Sequence, residues 1–139
     1  MTVRVQRILL ALLALSAALV GFWAVTVPRS FYDSFPALGR HWVDVDGPYN
    51  EHLVRDVGAL YLALLVLSVG ALWLATPQIV RPTGASWLVF NVAHFLYHAA
   101  HLGPLDDLDA ALEMLALGLS LVAAAALLPF GAVVEAADR

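Results

Sequence analysis

The chain has no cysteine and no lysine, and only 13% of its 139 residues are charged. Without cysteine there are no disulfides and no thiolate ligands, so any metal would rest on histidine and carboxylate. Seven arginines face eleven carboxylates, for a net charge of −4. No basic cluster interrupts the chain, which argues against nucleic acid as a partner. Soluble domains are about half apolar and about a quarter charged. This chain is 62% hydrophobic, with a mean hydropathy of +0.83. Composition alone places it among membrane proteins.

What the chain does have is four long apolar segments, and a helix needs ~20 such residues to cross the hydrocarbon core. They are "ILLALLALSAALVGFWAVTV" at 8–27, a second at 50–76 containing "VGALYLALLVLSVGALWLAT", a third at 85–102 and a fourth at about 106–134. Pro28, Pro77, Pro82 and Pro104 fall in the breaks, and Pro129 is placed to kink or end the last helix. The first segment is longer than a secretory signal core and lacks a clean cleavage site before Pro28, so a retained helix is expected. The fold class that follows is all-α: a four-helix transmembrane bundle with an interfacial loop or short helix between helices one and two. The chain reads as one integral-membrane domain over 1–139. Arg4, Arg7, Arg81 and Arg139 share one side and Arg29, Arg40 and Arg55 the other, which favours cytoplasmic termini.

Alternating directions bring the start of the second helix, the end of the third, the start of the fourth and the 28–49 connection to one face. All five histidines and nine of the eleven carboxylates fall in that half. Asn91, His94, His98 and His101 follow spacings of three, four and three, one stripe on a helix. His52 with Asp56, and Glu51 with Arg55, lie one turn apart. Asp106, Asp109 and Glu113 repeat the pattern on the fourth helix. At 1.5 Å of rise per residue, His98, Asp56 and Glu113 lie roughly 7–10 Å inside the bundle, and His94 roughly 13–14 Å. Ionisable groups at such depth normally point inward and pair with one another.

Imidazole and carboxylate at matching depth suit a transition metal such as zinc, iron or copper. His94 and His101 are two turns apart, too far to share one ion. The expected set is therefore His94, His98 and Asp56, with His52 auxiliary and Glu51, Glu113 and His101 as further candidates. A small membrane metalloprotein with redox or hydrolytic chemistry is the leading expectation. Haem b between histidines such as His52 and His98 is the variant, with Gly58 or Gly118 making room. A metal-free pocket for a lipid or quinone-like ligand is the main alternative, walled by Phe90, Phe95, Tyr97 and Tyr61. An accessory subunit whose polar residues only fix packing is the third. On that reading Asn50 and Asp106 are N-caps and Glu51–Arg55 is a surface ion pair. The aromatic 28–49 connection is expected to form a lid over the pocket or an interface anchor. Ser68, Gly70 and Gly118 read as close-packing positions. As partners the chain admits the lipid bilayer, a membrane-soluble small molecule, and a homo-oligomeric or membrane-complex neighbour.

The stretches "FPALGRHWVDVDGPYNEHLVRDVGALYLAL" and "NVAHFLYHAAHL" resemble a group of small, uncharacterised four-helix membrane proteins of high-GC Gram-positive bacteria, broadly DoxX-like in size and topology. The resemblance is best over residues 28–63 and 91–102. It implies a multi-pass protein of the bacterial plasma membrane with Tyr49, Asn50, Glu51, His52, Arg55, Asp56, His94, His98 and His101 as distinctive residues. It implies no metal, haem or reaction.

Overall fold

Each of three long helices starts on a side-chain cap. Thr2 Oγ1 accepts from the Val5 amide at 3.3 Å, Asn50 Oδ1 from Leu53 at 3.2 Å and Asp106 Oδ1 from Asp109 at 2.8 Å. Each bond satisfies one amide that a helix start leaves without an intrahelical partner. A computed structural model describes residues 2–129. Its helices are α1 (Val3–Thr26), α2 (Pro28–Ser34), α3 (Glu51–Leu74), α4 (Pro77–Ala100) and α5 (Asp107–Leu127). Between α2 and α3 lie a minimal hairpin, β1 (Pro36–Ala37) with β2 (Arg40–His41), and a 3₁₀ turn at Asp44–Asp46.

Of the described helices α1, α3 and α5 are long and apolar enough to cross a membrane. At 24, 24 and 21 residues they reach ~31–36 Å, against ~30 Å of hydrocarbon. The chain is a mostly helical protein with transmembrane-type helices. α4 is as long but carries Gln78, Arg81, Asn91, His94 and His98. Side chains such as Leu12, Leu15, Val66, Trp73, Val89 and Val122 stand more than half exposed on the helices. That surface is at home against lipid rather than water.

Helix boundaries differ from expectation where proline was read as a break. The third segment begins at Pro77 rather than at 85, because Pro77 occupies the first helical turn and has no bond to lose there. Pro82 lies inside α4, where it costs the helix one bond to the Gln78 carbonyl. α1 starts at Val3 rather than at 8, since Thr2 caps a polar first turn. α5 stops at Leu127, two residues before Pro129, as the proline dictates. Residues 130–134 of the expected fourth helix, and Glu135, Asp138 and Arg139, lie outside the described residues. The hairpin turns through Leu38 (φ 61°) and Gly39 (φ 75°), the paired left-handed residues of a two-residue connection.

The helices associate mainly as two pairs, α1 on α3 and α4 on α5. In hydrocarbon there is little hydrophobic drive between helices, so close backbone approach matters more. A Cβ at Gly58 would sit 2.9 Å from Ala24 Cβ and 3.0 Å from Val25 N, and one at Gly84 would sit 3.0 Å from the Ala124 carbonyl oxygen. Gly21 meets Leu62 as closely. These are the close-packing glycines. The expectation for Gly70 and Gly118 is corrected: among the described residues, a Cβ added at Gly70 would meet no atom of another element within 4 Å, and one at Gly118 would meet Phe95, at an ordinary 3.8 Å. Ser68 is buried and accepts a hydrogen bond from Trp87 Nε1 at 2.9 Å, linking α4 to α3. An apolar core of Leu10, Leu13, Leu64, Val80, Trp87 and Leu127 fills the end of the bundle that carries the N-terminus of α1. The other end is left for the polar residues.

Gly58→Val is expected to cost about 1–3 kcal/mol by overpacking the α1–α3 crossing, whereas Gly70→Ala is neutral or stabilises by up to ~1 kcal/mol. Unfolding of the two variants in a denaturing-detergent titration distinguishes the positions.

Candidate functional site

The end of the bundle opposite that core opens into a cavity of about 610 Å³ between the two helix pairs. α4 supplies Trp87, Asn91, His94 and His98 at spacings of four, three and four, one helical face. α5 supplies Glu113, Ala116, Leu117 and Ser120, and α3 supplies Leu53, Val54, Val57 and Tyr61. The connection closes the remaining side with Phe31, Tyr32, Phe35, Trp42, Val43 and Asp46. The polar residues expected to meet at one face thus do so for α4, α5 and the connection. The lining is dominated by apolar and aromatic side chains, with few polar groups, the usual make-up of a small-molecule site.

His98 and Glu113 form the polar floor. His98 Nδ1 lies 3.0 Å from Glu113 Oε1, within hydrogen-bonding distance. Glu113 is only 4% exposed. Its second oxygen, Oε2, is buried and has no hydrogen-bond partner among the described residues. Beside it, the His94 ring meets the His98 ring edge-on at 4.6 Å and stacks on Phe90 at 5.0 Å. One turn deeper, Asn91 Nδ2 donates to Ser120 Oγ at 2.9 Å, which fixes the register of α4 on α5.

The connection is held over the cavity by polar contacts. Arg40 donates to Asp109 on the first turn of α5, and the Tyr32 hydroxyl donates to the Gly47 carbonyl. The Arg29 guanidinium packs over the Tyr49 ring at 4.9 Å and the Tyr32 ring at 5.6 Å. Its hydrogen bond to Asp33, at 2.7 Å, raises it above its ordinary value. Phe31, Phe35 and Trp42 pack ring on ring beneath, with centroids 4.9 and 6.2 Å apart. The segment lies over the cavity, the position expected of a lid.

The remaining expected site residues lie elsewhere. His52 and Asp56 are paired with each other at 3.2 Å, with side chains 83% and 61% exposed, on a face of α3 that does not line the cavity. Glu51 pairs with Arg55 at 2.9 Å on the exposed surface, and Arg55 also donates to the Val25 carbonyl at the end of α1. His101 ends α4, where its Nδ1 donates to the Tyr97 carbonyl at 2.7 Å and its ring stacks on Tyr97 at 4.2 Å. The joint placement of His52 and Asp56 with His94 and His98 is therefore corrected. Leu53, Val54 and Val57 take the cavity-facing positions, and a charged pair one turn apart stays on the opposite face. The haem expectation meets the same difficulty, since both cavity histidines come from α4 and Gly58 faces α1. Among the described residues no three histidine or carboxylate side chains gather as a metal-holding group.

Asp46 and Ser120 carry no signal of their own in the sequence, and Trp87, expected as a membrane-interface or core residue, is a core residue that also lines the cavity. The spacing of Trp87 to Asn91, four residues before the histidine stripe, was the available signal. No family model, curated protein or solved structure matches the chain.

Removing the imidazole in His98→Leu leaves a buried carboxylate without its partner, and is expected to destabilise the protein by about 3–5 kcal/mol. Removing an exposed one in His52→Ala is expected to change stability by less than ~0.5 kcal/mol. Thermal or detergent unfolding of both variants checks the asymmetry.

Proposed function

We propose that the protein is a membrane-embedded binding protein for a membrane-soluble small molecule, held in the cavity beneath the connection. Among the expectations from sequence this is the lipid or quinone-like pocket rather than the metalloprotein. The observation that carries it is the combination of a 610 Å³ aromatic-walled cavity with a buried acceptor of its lining, Glu113 Oε2, left without a partner among the described residues. A ligand with an apolar body and a donating head satisfies both. The body replaces water or lipid tails against Phe31, Phe35, Tyr61 and Trp87, and the head satisfies the carboxylate oxygen, which is costly to leave unpaired.

The proposed topology includes α4 as a fourth span. Its polar residues line the cavity, while Val89 and Leu96 stand exposed on its outer side. Such a helix is stable in a bilayer when its polar stripe is turned inward. With termini on the cytoplasmic side, the cavity lies in the outer half of a bacterial plasma membrane, as the DoxX-like resemblance implies. The transition-metal reading finds, among the described residues, no group of three candidate ligands, and the His98–Glu113 contact supplies half the ligands of a closed site, so it takes second place.

The test is a neutral apolar fluorophore with a donor N–H, N-phenyl-1-naphthylamine, added to protein in lipid nanodiscs. Energy transfer from the protein's tryptophans to the dye is expected to saturate with occupancy of one site. Ala116→Phe, which fills part of the cavity, is expected to weaken binding by about tenfold or more. A non-saturating signal, identical in the variant and in empty nanodiscs, would overturn the reading.

A further inference from the structure

We infer that the cavity favours a lipophilic cation, an amine or onium head on a bulky apolar body, over an acidic ligand of the same size. This rests on the binding reading above and specifies its ligand class. Three observations support it, and the first is the sign of the lining. Two carboxylates, Asp46 and Glu113, line the cavity with His94 and His98, and among the described residues no arginine does.

The second is that the arginines of this end are already engaged. Arg29 is paired with Asp33, Arg40 with Asp109 and Arg55 with Glu51. None of these three cations is left to neutralise the cavity acids. The third is the geometry of the His98–Glu113 pair. When the pair holds one proton between Nδ1 and Oε1, it carries one net negative charge, and its buried Oε2 has no hydrogen-bond partner among the described residues. A buried anion of this kind is stabilised by a counter-charge delivered inside the cavity, where attraction is weakly screened.

The walls suit the same ligand. Tyr32, Phe35, Trp42, Tyr61 and Trp87 offer ring faces and edges around the space, and aromatic faces attract onium groups that a carboxylate alone would leave partly hydrated. An anionic headgroup would meet two carboxylates without a guanidinium to offset them, so acidic lipids are disfavoured on the same grounds. The volume accommodates a four-ring onium ion or a single-chain amine.

The experiment compares two ions of one size and shape with opposite charge, tetraphenylphosphonium and tetraphenylborate, by equilibrium dialysis against the full chain in neutral-lipid nanodiscs. The phosphonium is expected to bind saturably and the borate to leave it undisplaced. Glu113→Gln is expected to weaken phosphonium binding by at least about tenfold, while the exposed His52→Ala leaves it unchanged. The ion comparison needs no variant, so it stands if Glu113→Gln does not fold. Equal binding of both ions, or undiminished phosphonium binding by a folded Glu113→Gln protein, would overturn the charge selectivity. If neither ion binds while N-phenyl-1-naphthylamine does, the cation inference fails and the cavity reading survives. If no probe binds, both fail.

Discussion

A carboxylate inside a helical bundle is tolerable only if something shares its charge, and Glu113 meets that condition through His98. The contact joins α4 to α5 at 3.0 Å and lies at the polar end of the cavity. It sets which face of each helix turns inward. On α4 it carries Asn91 and His94 into the cavity with it, and on α5 it carries Ser120 toward Asn91, which closes a second interhelical bond one turn deeper. Two such bonds, spaced along one seam, fix a register that leucine and alanine alone would leave loosely specified. The incomplete satisfaction of the pair matters as much as its formation. One oxygen is bonded, the other is buried and open, and the space in front of it is lined by rings.

The rest of the architecture divides labour along the bundle. Glycines at positions 21, 58 and 84 let backbones approach until no side chain fits between them. With α1 locked to α3 and α4 locked to α5, the pairs meet tightly at the end filled by Leu10, Leu64, Val80 and Leu127. They part at the other end. The aromatic connection covers the gap, tethered by Arg40 to Asp109 and by its own ring packing.

Much of this was legible in the sequence, and the exceptions have a common physical cause. The mostly helical class, the caps at Asn50 and Asp106, a kink or end at Pro129 and the polar end of the bundle follow from rules that act locally along one chain segment. The inward face of the third helix was also readable, because Asn91, His94 and His98 share a stripe. What failed was the assumption that every polar stripe turns inward. His52 and Asp56 satisfy each other across one helical turn, as do Glu51 and Arg55, and a pair that is self-sufficient near the membrane surface gains nothing from burial. His98 has no carboxylate one turn away on its own helix and Glu113 no basic residue, so each meets its counterpart on the other helix. Local satisfaction, rather than depth alone, separates surface pairs from site residues. Close packing was misassigned for a related reason: Gly70 and Gly118 are small, but only helix crossing geometry decides which small residue is needed.

The central claim is that the α4 stripe faces α5 and not lipid, with α3's charged pair turned away. Because the chain has no cysteine, paired cysteine substitutions read that arrangement directly in membranes. Oxidation of an Asn91→Cys/Ser120→Cys variant, whose native side chains touch at 2.9 Å, is predicted to give an efficient intramolecular disulfide. His52→Cys/Glu113→Cys is predicted to stay unlinked. A linked second pair with an unlinked first would contradict the register on which the site depends.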